Sequence, residues 1–361
     1  MLKTYQQYDP TIMLQENLDA NEERFKWIKE TKYKLQNLKH QPNEPAIPHK
    51  SHVIYVTNNL FPNPIKLIAI NKTIETANQL NTVNSSYKHY FWTNNVNIIP
   101  IKIKNIKNLE IHLINEFKEH SLWDSLEKIL DKSQSEPGFF VQAGDILRLM
   151  VVQKHGGIYH DLDYSLYNAK ELIKITNEFN FVNARELDQD NSYIGNAFIA
   201  ASPNNLIINA AITFCNRNLN LQQHKNTPTY IKFPLNGADK ILFETGPVML
   251  SIAYYSSIEQ SRNAGYTDII LPPKMLYNFE YSRSTTPEYI DHSNSYIKNQ
   301  KNSTEMQLLI HDFFGITINT LGGDMFSGSW AANLLTPIDY GEESFNTSSQ
   351  HLPGEVYLTV I

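Results

Sequence analysis

The sequence predicts an α/β fold, a largely parallel sheet flanked by helices. Three observations predict it. Two short β-rich runs, "HVIYV" (52–56) and "KHYFW" (88–92), each run into Thr-Asn-Asn and read as strands entering loops. A helical stretch at about 64–80 lies between them, and strand, helix, strand with loops at the strand ends starts a parallel unit. A later run, "LRLMVVQKHGGIYH" (147–160), has a helix closing on a glycine pair and opening into another strand.

The other elements follow in order. Residues 12–39 read as a helix, with Phe25, Ile28, Leu35 and Leu38 along one side. "QPNEPAIP" (41–48) carries three prolines and marks a linker. Helices are expected over 107–132, 140–155, 204–217 and 246–258. "GGIYHDLDYSL" (156–166) reads as a strand whose end is rich in carboxylates. "FNFVNA" (179–184), "NAFIAAS" (196–202) and "DIILPP" (268–273) read as further strands, and the polar, weakly periodic 280–306 as a surface insertion. The expected division is an N-terminal helical extension (1–45), an α/β domain (46–335) and a C-terminal tail (336–361).

Composition narrows the function classes. The chain has 361 residues, 41% apolar and 19% charged, with 31 Lys and Arg against 37 Asp and Glu. A net charge of −6 without a long basic run argues against nucleic acid, whose binding needs clustered cations. Cys215 is the only cysteine, which excludes a disulfide framework and a cysteine metal site; "AAITFCNRN" suits a small buried residue. No apolar leader is evident at the start, and no apolar run approaches the length of a membrane span. The expectation is a monomer made in a reducing cytosol that, if it leaves the cell, does so without a cleaved signal.

The segment that carries chemistry is "AGDILRLMVVQKHGGIYHDLDY" (143–164). On a helix, Asp145 and Arg148 are three apart and share a face. Gly156 and Gly157 provide a left-handed cap and a sharp turn. Ile158, Tyr159 and His160 then run as a strand with Asp161 and Asp163 at its carboxyl end, and in extended chain residues i and i+2 point the same way. Two convergent carboxylates make a hard-oxygen site for Mn²⁺ or Mg²⁺, at the strand ends where open α/β sheets bind ligands.

This segment resembles the sugar-nucleotide segment of retaining glycosyltransferases with the GT-A fold: Asp-(Ile/Leu)-x-Arg, a helix, Gly-Gly-x-Tyr, then Asp-x-Asp. The large clostridial glucosylating toxins, related bacterial effectors and mannosyltransferase-like polysaccharide enzymes share it. "IPHKSHVIYVTNN" (47–59), "IGNAFIAASPNN" (194–205), "ETGPVML" (244–250) and "IILPPKMLY" (269–277) are similar to further family segments in the same order. The resemblance implies a Rossmann-like mixed sheet flanked by helices, with the helical N-terminal extension and insertions.

It also implies roles. Asp161 contacts the donor's ribose and sugar and holds the metal through water, while Asp163 binds the metal directly. Asp145 and Arg148 grip hydroxyls of the transferred sugar. Tyr55 stacks on the base with Val56 beside it, Tyr159 lies against the nucleotide, and Asn196 reaches the sugar or the metal shell. In "GGDMFSGSW" (322–330), Trp330 with Ser327 or Ser329 resembles a late loop that closes over the diphosphate. His311, in "LLIHDFFG", is open to a structural or a functional reading.

The implied activity is metal-dependent transfer from a nucleotide-sugar, with a UDP-sugar (UDP-glucose or UDP-GlcNAc) preferred to a GDP-sugar. A toxin or effector would glycosylate a hydroxyl of a host protein, such as a GTPase or trafficking protein, in the host cytosol. The alternatives are an enzyme building polysaccharide in its own cell, with GDP-mannose as a candidate donor, and a non-catalytic binding module of the same fold. The N-terminal helix admits peripheral membrane contact, although its mixed charges (Glu22, Glu23, Lys26, Lys29) suit packing better.

Overall fold

The computed structural model describes Lys34 and residues 45–136, 138–185, 194–220, 241–242, 244–271, 273–277 and 322–324. Its strands are β1 (Lys50–Tyr55), β2 (Lys88–Thr93), β3 (Leu109–Leu113), β4 (Gly157–His160), β5 (Tyr164–Leu166), β6 (Phe181–Ala184), β7 (Phe198–Ala201), β8 (Asp268–Leu271) and β9 (Gly322–Asp324). Seven of them form one sheet in the order β3-β2-β1-β4-β7-β6-β8, and β5 pairs with β9 apart from it. β1, β2, β3 and β4 run parallel, β7 is antiparallel to β4 and β6, and β6 is parallel to β8. The mixed sheet flanked by helices is the arrangement expected.

Both faces of the sheet are covered, so its strands read as apolar throughout. Alternate residues point to opposite sides. Ile54, Trp92, Tyr159, Phe181, Ile199 and Ile270 share a core with the helices α3 (Trp123–Ser133), α4 (Phe139–His155), α6 (Leu206–Leu219) and α7 (Pro247–Asn263). On the other face Val53 and Phe91 pack with α1 (Leu67–Val83) and α2 (Ile101–Lys104). Ile158, Val182, Phe198 and Ile269 pack there against α5 (Ala169–Glu178) and α8 (Pro273–Leu276).

Two sequence expectations are corrected. The helix expected over 107–132 begins only at Trp123: its first part is β3, followed by a 3-10 turn at Ile114–Phe117. "LEIHL" alternates apolar and polar residues, and it hydrogen-bonds beside β2 as an edge strand, where that period suffices. The strand expected through 156–166 breaks at Asp161, where a turn separates β4 from β5. The N-terminal extension, the insertion at 280–306 and the tail fall outside the described residues, apart from Lys34, whose ammonium lies 2.8 Å from the buried Asp268 carboxylate.

The glycine pair positions everything that follows. Gly156 caps α4 at φ +59° and Gly157 opens β4 at φ +98°, both in the left-handed region that glycine tolerates. His52 locks this turn. Its Nε2–H donates to the Gly156 carbonyl at 2.7 Å while Nδ1 accepts from the Trp92 indole at 3.2 Å. That pairing requires the neutral ring, and burial pushes the His52 pKa down to about 3. A Cβ on Gly157 would lie 2.5 Å from the Lys50 carbonyl oxygen. Gly157→Ala should therefore cost about 2–4 kcal/mol from strain and overpacking, read as a lower denaturation midpoint.

Candidate active site

The site is built at the carboxyl end of β4, where the neighbouring loops meet. Helix α4 carries Asp145 and Arg148 to it. Apolar neighbours surround almost the whole helix, so both charges are buried, Arg148 at 7% exposure. Charges in such a place must be paired. Arg148 Nη2 lies 3.1 Å from Asp145 Oδ1 and 3.6 Å from Asp161 Oδ1. Its Nη1 donates to the Asn196 carbonyl and its Nε to the Gly144 carbonyl. The guanidinium also lies over the Tyr159 ring, 4.8 Å from its centroid, a cation–π placement. Burial works against the Arg148 charge, but Tyr159, Asp161 and Asp145 outweigh it and hold the guanidinium protonated.

Asp145 is the second hub. Its Oδ1 accepts from the Asn196 amide at 2.9 Å, and its Oδ2 from the Thr245 hydroxyl at 3.1 Å. Burial pushes the Asp145 pKa up to about 6, against the opposing pull of Arg148 and the Thr245 hydrogen bond. Tyr159 donates its hydroxyl to Asp161, and burial holds that phenol well above its ordinary range. One oxygen of Asp161 is thus committed to Tyr159 and Arg148, which fixes how this half-buried carboxylate is turned.

The Asp-x-Asp segment is a turn. Tyr164 N–H donates to the Asp161 carbonyl at 3.1 Å, and Asp161 N–H donates to the Ala197 carbonyl at 2.9 Å. Thr73 of α1 holds the middle of the turn through the Leu162 carbonyl at 3.3 Å. Strand alternation therefore does not set the directions of Asp161 and Asp163, contrary to the extended-chain expectation; the turn hydrogen bonds do. Both carboxylates are partly exposed.

The structure brings Asp145, Arg148, Tyr159, Asp161 and Asn196 into one network. Tyr55 ends β1, beside β4 in the sheet, and Val56 follows it. The Tyr55 hydroxyl is spent on the carbonyls of Asn63 and Pro64, at 3.2 and 3.4 Å, and its half-buried ring packs against the cluster that holds Val53 and Phe91. Ser327, Ser329, Trp330 and His311 lie outside the described residues. β9, which ends three positions before Ser327, pairs with β5 in the register Tyr164↔Asp324 and Leu166↔Gly322. That register docks the approach to the loop against the residues that follow Asp163.

Thr245 and Thr73 were missed in the sequence. Thr245 stands directly before the Gly-Pro start of α7 in "ETGPVML", a place where a hydroxyl reads as a helix-start residue. Its role as the second partner of Asp145 depends on a contact one hundred positions away. Gln142, one turn before Asp145, donates to Glu244 at 3.0 Å and ties α4 to the same segment.

As to metal, Asp161 and Asp163 are hard oxygen donors, and no cluster of three or more His, Cys, Asp or Glu stands ready among the described residues. Two carboxylates suit an ion that keeps waters and completes its shell with substrate phosphates. The donor set fits such a group.

Comparison with known proteins bears on this segment. Residues 70–181 match the family "glycosyltransferase sugar-binding region containing DXD motif". No curated protein matches the chain. Among solved structures, the chain is similar to the PaToxG glycosyltransferase at 20% identity, covering 71% of this chain and 83% of that one, with a TM-score of 0.45. It is similar to the UDP-bound glycosyltransferase domain of the YGT toxin at 13% identity, covering 63% and 79%, with a TM-score of 0.39. It is also similar to the catalytic domain of alpha-toxin from Clostridium novyi at 12% identity, covering 58% and 73%, with a TM-score of 0.34. The stretch that holds Asp145, Arg148, Tyr159, Asp161 and Asp163 is a glycosyltransferase sugar-binding region with its DXD motif.

Proposed function

We propose that this glycosyltransferase moves a hexose from a UDP-sugar to a hydroxyl of a host protein, as an exported bacterial effector. The observation that carries the transferase chemistry is the buried Asp145–Arg148 pair locked to Asp161 at the carboxyl end of β4, inside the matched region. Such a network keeps one carboxylate oriented without reorganisation when the donor arrives.

The residues divide the work as follows. Asp161 and Asp163 would hold a divalent ion, Mn²⁺ or Mg²⁺, which when bound supplies positive charge at the diphosphate leaving group. Arg148 and Tyr159 orient Asp161 through its committed oxygen. Asp145 is buried beneath them, and we assign it the support of Arg148 and Asn196 in place of a direct grip on the sugar. Tyr55, with Val56, offers its ring to the base, a role that suits an aromatic whose polar end is already bonded. Ser327 or Ser329 and Trp330 would close over the diphosphate from the loop that β9 anchors, excluding water from the donor. Retention of configuration, implied by the resemblance, needs no protein nucleophile, so we name no catalytic base: the departing phosphate takes the acceptor's proton.

A second reading, polysaccharide synthesis in the producing cell, draws on Ser329 standing directly before Trp330, as in the polysaccharide enzymes. Incubating the pure protein with Mn²⁺ and a panel of UDP- and GDP-sugars should release UDP from one of them. Labelling of a protein in host lysate supports the effector reading, whereas labelling of a lipid-linked glycan alone sinks it. No nucleotide release from any sugar would leave the fold as a binding module.

A further inference from the structure

The loops that leave β1 and β2 form an apolar and cationic surface beyond Tyr55 and Val56. Both leave the same edge of the sheet, and Asn94 clamps them together: its amide donates to the Thr57 carbonyl at 2.7 Å and to Asn59 at 3.0 Å. The first loop is rigidly built. Asn58 accepts from the backbone N–H groups of Leu60 and Phe61 at 2.8 and 3.0 Å, and donates to the Gln134 carbonyl at 2.9 Å. This scaffold holds Leu60 and Phe61 out in solvent at 77% and 78% exposure. A loop so heavily bonded could have kept two large apolar side chains inside, so their projection needs a reason.

The helices that follow repeat the pattern. Ile65 and Ile70 point into the core, as do Ile99 and Ile103, so the inward positions are filled. The outward positions are still apolar: Leu67 is 63% and Ile101 69% exposed, with Ile68 and Val96 less so. Exposed lysines, Lys66, Lys102, Lys104 and Lys107, accompany them. No Asp or Glu occurs from Val56 to Ile74 or from Asn94 to Leu109. In a chain of net charge −6, two adjoining carboxylate-free segments that mix lysine with exposed leucine, isoleucine and phenylalanine are a local reversal of character.

We propose that this surface docks on an anionic lipid bilayer, with Leu60 and Phe61 entering the headgroup boundary and the lysines facing lipid phosphates and carboxylates. Apolar side chains that enter the interface beside lysines that meet negative headgroups are the combination that holds a peripheral protein on a membrane. A soluble protein partner could use exposed apolar side chains of this kind, but the lysines grouped with them suit a negative plane; Glu136, two residues beyond the supporting Gln134, is paired with Lys132 at 3.8 Å. The surface lies at the carboxyl edge of the same parallel strands that end near Asp161. Vesicle binding does not depend on sugar transfer, so failure of either reading leaves the other standing.

The full chain is sedimented with phosphatidylcholine vesicles with and without phosphatidylserine, at low and high salt. Binding should appear only with phosphatidylserine and weaken as salt rises. Lys102→Ala with Lys104→Ala should weaken it roughly fivefold per lysine. Leu60→Ser with Phe61→Ser should reduce it at least tenfold while leaving nucleotide release and Tm as in the parent chain. Equal binding to neutral vesicles, no binding to either, or unchanged binding by both double variants would each overturn the proposal. So would loss of a soluble protein acceptor's labelling in the Leu60/Phe61 variant when the parent chain ignores vesicles; the surface would then be a protein dock.

Discussion

Replacing Arg148 by methionine is expected to destabilise the fold by about 3–5 kcal/mol, the cost of stranding a buried charge by removing its partner. Methionine matches much of the arginine's length, so the loss reports charge and hydrogen bonds more than volume. Asp145 would keep only Thr245 and the Asn196 amide. The deficit should also depend on pH in a definite direction. Burial raises the Asp145 pKa from 3.8 to about 6, so its contribution to stability is fully present below about pH 3.8 and is lost as pH rises through 6. Without Arg148 the carboxyl loses its main opposing charge, and its pKa rises further. The variant should therefore fall furthest behind the parent above pH 7 and recover part of the difference near pH 5. Arg148→Lys should not restore the parent, because a single ammonium cannot reach Asp145, Asp161 and two carbonyls at once. Melting temperatures at the two pH values check this; a deficit that is constant or widens on acidification contradicts the assignment.

Much of this site is legible in the sequence because its parts are local. Helix, glycine pair, strand and Asp-x-Asp follow one another within twenty-two residues, and each has a short-range signature: period, cap and strand-end carboxylates. The elements misread are those whose signal is weak or distant. β3 has the alternation of a strand, but helical residues follow it closely, and only pairing with β2 decides the matter. β9 is Gly-Gly-Asp, a composition that no propensity marks as a strand, and it exists because β5 offers it an edge. The burial of Arg148 cannot be read from an Asp-x-x-Arg spacing, which looks the same on a solvated helix. It follows from apolar residues on every other side of α4 and from Asn196 and Thr245 arriving from elsewhere in the chain. The break between Asp161 and Asp163 is likewise tertiary, set by bonds to Ala197 and Thr73.

Asp163→Ala should reduce both sugar transfer and donor hydrolysis by a hundredfold or more, on the order of the effect of removing one preorganised stabiliser of developing charge. Its fold should survive, since the residue lies in a partly exposed turn that backbone bonds of Asp161, Leu162 and Tyr164 hold in place. The same replacement at Asp161 should behave differently. It removes the acceptor of the Tyr159 hydroxyl and one counter-charge of Arg148, so it should lower activity and stability together. Asp161→Asn separates those effects: the amide oxygen can still accept from Tyr159, so much of the stability should return, while the charge needed for a divalent ion does not. The discriminating measurement pairs nucleotide release, titrated with Mn²⁺, with Tm for all three variants. If Asp163→Ala turns over at near-parental rates at every Mn²⁺ concentration, the carboxylate assignment is wrong and the turn serves only to end β4. If its activity returns with excess Mn²⁺, Asp163 acts through affinity for the ion. In that case Asp161, held in place by Tyr159 and Arg148, is the carboxylate on which the remaining transfer depends.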